Sequence, residues 1–154
     1  YYDPVSSTTI VPRSTYLDTG HEIARRTLAR IDGPTATHFA AGRCLEIVDD
    51  VAKTGTAIMG VSVEEDLAEL KTASAGRLTL LGNLNGIEMA RWTPETAEQA
   101  VKTAIAKAGR GGGFILSDNH GEIPWQVTDD VLLAIGEAVR KWGRYPLDWI
   151  DEAC

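Results

Sequence analysis

Short apolar runs that alternate with helix-like stretches constrain this chain more than any other feature. Residues 35–40 (TATHFA), 57–61 (AIMGV), 78–82 (LTLLG) and 113–116 (GFIL) read as strands. Each is followed by apolar residues at helical spacing. Residues 43–54 place Leu45, Val48 and Ala52 on one helical face, and Gly55 is a natural stop. Ser62-Val63-Glu64-Glu65 fits a capping box and predicts a helix to about Thr72. Thr93-Pro94-Glu95 offers a cap, a proline at the first helical position and an acid in the first turn. That helix turns Ala97, Ala100, Val101, Ala104, Ile105 and Ala108 to one side, and Gly109 follows it. A last helix is capped at Thr128, with Val131, Ile135, Val139 and Trp142 inward and Gly143 after it. Residues 18–31 predict one more helix upstream, ending before Gly33-Pro34.

A helix followed by four β-α units predicts an α/β fold with a parallel sheet. An open doubly wound sheet and part of a (β/α)8 barrel both fit. A whole barrel needs about 250 residues, so 154 residues with four units make about half of one. The phosphate fingerprint GxGxxG and the Walker pattern are absent, and Gly111-Gly112-Gly113 precedes a strand instead of following one. These facts disfavour a nucleotide-binding sheet. With 44% hydrophobic residues the chain predicts a single domain, residues 1–154, with its own core.

A net charge of −7 argues against a nucleic-acid or anionic-membrane surface. No apolar run approaches the roughly 18–20 residues of a membrane span. Tyr1-Tyr2-Asp3-Pro4 has neither an initiator Met nor the pattern of a secretory leader. The chain reads as a piece of something longer. Two cysteines, Cys44 and Cys154, are too few for a disulfide framework and predict reduced thiols in a cytoplasmic protein.

Ligands of parallel α/β proteins meet the carboxyl ends of the strands. The first strand delivers His38, with Gly42 and Arg43 beyond it. The second delivers Ser62 and Glu64, and the third Asn83 and Asn85. The fourth delivers Ser117, Asp118, Asn119 and His120, with Glu122 after Gly121. Two of three histidines therefore fall on strand ends of one sheet edge, while His21 reads as a surface residue. Imidazole binds zinc or moves protons near neutral pH. A catalytic zinc needs about three protein ligands, and Cys44 or Glu122 is available as a third. Asn83, Asn85, Ser117 and Asn119 are the candidate substrate-binding residues, although the "GNLNG" stretch equally invites an Asx-type turn. There is no GxSxG elbow, so a serine triad is a poor reading.

The ordered set "GNL", "TPE", "GGFILS", "DNHG" and "GRYP" resembles the C-terminal part of the uroporphyrinogen decarboxylase superfamily. "DPVSSTTIVP", "GPTATHFAAG" and "DLAELK" resemble its corrinoid-dependent methyltransferase branch. The resemblance spans nearly the whole chain. It implies a (β/α)8 barrel of which this chain is the second half. It also implies an N-terminal half-barrel chain or a self-paired homo-oligomer to complete the barrel. In the methyltransferase branch, a zinc held by His, Cys and Cys activates a thiol-type acceptor, which takes a methyl group from methylcobamide carried by a partner corrinoid protein. His38 falls on the family's His ligand. Ala40 or Ala41 stands where the first Cys belongs, because "HFAAG" is one residue longer than the family's stretch, and His120 stands at the second Cys. The implied metal ligands are then His38 and His120, with Cys44 possible if the loop folds back. The decarboxylase branch needs no metal, and "DNHGEIP" resembles its strand-end loop, with His120 on the family's histidine as the catalytic candidate. A non-catalytic half-barrel subunit is the third reading.

Overall fold

The computed structural model of the chain describes residues 1–118 and 123–152. Four parallel strands form one sheet in the order β1-β2-β3-β4. They are β1 (Ala36–Thr37), β2 (Ile58–Gly60), β3 (Thr79–Leu84) and β4 (Phe114–Asp118). Two helices, α1 (Arg13–Asp18) and α2 (Gly20–Leu28), precede the sheet, and α3 (Val48–Ala52), α4 (Leu67–Ser74), α5 (Pro94–Ala108) and α6 (Asp129–Trp142) follow the successive strands. A short α7 (Trp149–Glu152) closes the described chain. Neighbours in sequence are neighbours in the sheet, joined through helices, as β/α barrels build up. The expected half barrel is the observed architecture.

Alternation along β3 decides which face is covered. Leu80 and Leu84 are buried, while Thr79, Leu81 and Asn83 are only partly so. Leu80 pairs with Met59 and Phe114, which puts the covered face of three strands in one layer. Val101, Ala104 and Ile105 of α5 belong to the same core. Alanines along α5 let the helix approach the sheet closely, and Ala97 and Ala108 are buried with them. Register places Ile58, Leu81 and Ile115 on the opposite face. Among the described residues Ile58 and Leu81 are only half-buried there, and Ile115 is 42% exposed.

Several local expectations change. The 62–65 stretch is no capping box: Asp66 is the N-cap, and its carboxylate accepts from the Ala68 and Glu69 N–H groups at 2.8 and 3.2 Å. The Ser62 hydroxyl instead donates to the Ala41 carbonyl at 2.8 Å, and Glu65 turns back to the β1 side. The 18–31 helix is really two, broken at Thr19, whose backbone leaves the helical region (φ −127°, ψ −72°). The 43–54 helix starts with a 3₁₀ turn only at Leu45. Thr128 caps α6 by position, without a side-chain hydrogen bond. Val139 points outward at 39% exposure, although Val131 is buried. β3 and β4 each run two residues further than their apolar letters suggest, so Asn83, Ser117 and Asp118 are strand residues.

Residues 1–3 extend the sheet past β1. The His38 N–H donates to the Tyr1 carbonyl at 2.9 Å, and the Asp3 N–H donates to the His38 carbonyl at 3.0 Å. Tyr2 and His38 thus form a parallel bridge. Leu80 sits at the centre of the covered layer with no exposed surface. Leu80→Ala should cost about 2–5 kcal/mol of unfolding free energy, measured by urea denaturation of the full-length protein.

Candidate functional site

His38 is the best-defined polar side chain at the sheet's carboxyl edge. Its Nδ1 accepts a hydrogen bond from the Ala40 N–H at 3.0 Å. Tyr2 stacks on the ring with centroids 6.0 Å apart and planes 29° from parallel. Below lies Gly60, where a Cβ would come within 2.7 Å of the imidazole Cδ2. A glycine inside a strand marks such a close approach, and here it leaves room for the ring. Burial lowers the His38 pKa, against an opposing pull from the Asp118 carboxylate, so the ring is held toward its neutral form.

The loop after His38 is tied down from two sides. Ala40 takes a left-handed conformation at φ 53°, and its N–H donates to the ring. Gly42 packs against Ser7, and a Cβ there would sit 2.3 Å from both the Ser7 Cβ and Oγ. The Glu65 carboxylate accepts from the backbone N–H groups of Cys44 at 2.9 Å and Leu45 at 2.7 Å. Cys44 is fully buried, and its thiol lies 3.4 Å from the same carboxylate. Burial and that negative charge push the Cys44 pKa well up.

The remaining candidates separate into two groups. Asn83 stands opposite Ser117 in the β3–β4 register. The Asn83 amide donates to the Ser62 carbonyl at 2.8 Å and the Glu65 carbonyl at 3.2 Å, so it braces the loop after β2. Asn85 makes the Asx-type turn, its Oδ1 accepting from the Glu88 N–H at 3.1 Å. Both asparagines line a cavity of about 860 Å³ on the helical side of the sheet, walled by Leu67, Trp92, Ala100 and Ala104. His38 does not line it. Glu64 pairs with Arg43 across the loops at 2.9 Å. His21 is half-buried, with Nε2 3.1 Å from the Asp50 carbonyl. Asn119, His120, Glu122 and Cys154 lie outside the described residues.

Zinc can be tested against the described residues. A ligating histidine offers a lone pair and a ligating cysteine a thiolate. His38 already spends its Nδ1 lone pair on the Ala40 N–H. Cys44 is buried beside a carboxylate, and burial and that charge both push its pKa up and disfavour a thiolate. Among the described residues no three His, Cys, Asp or Glu side chains gather as a metal site. His38 and Cys44 as placed do not fit a zinc centre.

Three residues escape a reading of the sequence. Tyr2 carries no signal there. Glu65 has one that points the wrong way, toward helix capping. Gly60 has a usable one, a glycine interrupting a strand.

Known proteins share this fold. The uroporphyrinogen decarboxylase (URO-D) family profile matches residues 1–142. The chain belongs to the uroporphyrinogen decarboxylase family. A curated uroporphyrinogen decarboxylase of Psychromonas ingrahamii is 32% identical over 74 residues, covering 48% of this chain and 21% of that protein. A methyltransferase from Methanosarcina mazei superposes with a TM-score of 0.80 over 93% of this chain, at 17% identity, and the match spans 41% of that structure. The chain therefore spans well under half the length of either relative. No helix among the described residues is long and apolar enough to cross a membrane.

The Gly42–Ser7 contact gives a test of how the strand-end loop is held. Gly42→Ala should destabilise the protein by about 1–3 kcal/mol through overpacking. Adding Ser7→Gly removes the atoms it strikes and should recover most of that loss. A double-mutant cycle on urea midpoints measures the coupling.

Proposed function

We propose that this chain forms one side of the active-site mouth of a URO-D family methyltransferase. A methyl group would pass from a methylated corrinoid protein to a thiol or tetrahydrofolate-type acceptor: the methyl–cobalt bond breaks with its electron pair left on the cobalt, and the acceptor gives up a proton as the new bond forms. One observation carries the reading. The "DPVSS" segment and the His38 strand end, which both resemble the methyltransferase branch, fold as a single unit: Tyr1 and Asp3 hydrogen-bond on either side of His38. The likeness in fold to the Methanosarcina mazei methyltransferase accompanies it. The corrinoid belongs to the partner and is a substrate here. No step is routed through zinc.

The bare face of the sheet supports a further part of this reading. Ile58, Leu81 and Ile115 need cover, and the remaining strands of a barrel would supply it, from the same polypeptide, an N-terminal half-barrel chain or a second copy. A carboxy-lyase reading has its own support in the 32% identity to a uroporphyrinogen decarboxylase.

Both are tested on the full-length protein. With methylcobalamin and a small thiol, the proposal expects multiple turnovers of thioether, followed by loss of the methyl–cobalt absorbance. Carbon dioxide released from uroporphyrinogen, without thioether, would replace it with the carboxy-lyase. Neither product from a folded protein supplied with its corrinoid partner would leave a non-catalytic subunit.

A further inference from the structure

We propose that His38 is fixed as a hydrogen-bond donor, through Nε2–H, to an oxygen acceptor on the bound substrate, and is not a metal ligand. The inference refines the mouth proposed above and rests on that reading for its substrate, but its geometry stands apart from it.

The backbone N–H of Ala40 can only donate. Its bond to Nδ1 at 3.0 Å therefore requires a lone pair on that nitrogen. In neutral imidazole one ring nitrogen carries the proton and the other accepts, so the proton sits on Nε2. Metal binding through Nε2 requires the opposite tautomer. That tautomer would set Nδ1–H against the Ala40 N–H, losing a hydrogen bond and leaving two donors facing each other. The imidazolium suffers the same clash.

The ring cannot readily turn away from this constraint. Tyr2 stacks against it. Gly60 receives its Cδ2 edge, at a distance where even a methyl group would collide. Among the described residues Nε2 has no hydrogen-bond partner, and it is not a sealed orphan in the core. The imidazole is seated and oriented while its donor is left for something else. Asp118, near enough to act on the ring electrostatically, makes a free anion a poor occupant. A neutral carbonyl oxygen fits the donor.

The experiment uses full-length protein labelled with 15N-histidine. Long-range 1H–15N spectra should show His38 with an unprotonated Nδ1 and a protonated Nε2, unchanged by one equivalent of zinc. An Nδ1–H pattern, or displacement of the Nε2 resonance by zinc, would overturn the proposal. Substitution gives an independent readout on whichever reaction the full-length protein performs. His38→Gln keeps an amide N–H in reach of the acceptor and should stay within about tenfold of wild type. His38→Ala should lose about 10²-fold. Equal losses in the two variants, with both folded, would also overturn it. The spectra report on His38 even if the methyl-transfer assay gives no product, so failure of that reading and failure of this one are distinguishable.

Discussion

Three strand ends meet at Glu65. Its carboxylate holds the N–H groups of Cys44 and Leu45 beyond β1. Its own N–H donates to the Ser62 carbonyl just past β2. Its carbonyl accepts from Asn83 in β3. Strands as short as two and three residues contribute few ladder bonds, so their ends depend on such cross-links. Bonds from backbone N–H groups to a carboxylate are stronger than neutral ones. Burial first, and then the same carboxylate, push the Cys44 pKa up, since a thiolate there would be a second negative charge in the core. One residue thus ties the loops beyond β1 and β2 to β3 and shapes the chemistry of the nearest sulfur.

The order and type of the elements were legible in the sequence because period is a property of the covered face. β3 alternates against the helices, and the alanine stripe of α5 sits where its spacing says it should, with Ala97, Val101, Ala104, Ile105 and Ala108 all buried. The boundaries were less legible for a physical reason. Ser117 and Asp118 look like loop residues by letter, yet they pair with Asn83 and Leu84 because the ladder is made by backbone. Polarity marks exposure, and at the carboxyl edge of a sheet exposed residues still belong to strands. The four-residue pattern at Ser62 matched a capping box, but Asp66 lies next to the apolar turn beginning at Leu67 and an acid caps it directly.

The candidate site was half legible. Strand-end logic found His38, Asn83, Ser117 and Asp118. It could not tell that Asn83 is engaged with two backbone carbonyls, or that Asn85 closes a turn. An asparagine has the same letter whether its amide faces a ligand or a loop. Nor could it find Tyr2, whose role depends on residues 1–3 returning to pair with β1 from far along the chain.

The departure of "HFAAG" from the family's shorter stretch now has a structural meaning. In that stretch Ala40 adopts φ 53°, and its N–H donates to the His38 Nδ1. A left-handed non-glycine residue costs about 1–2 kcal/mol, and the bond to the imidazole offsets part of that strain. The stretch that resembles the family's metal-binding loop thus engages the histidine lone pair with its own backbone. On the proposal made above, a histidine so held trades the tautomeric freedom that metal binding needs for the orientation that a directed hydrogen bond needs.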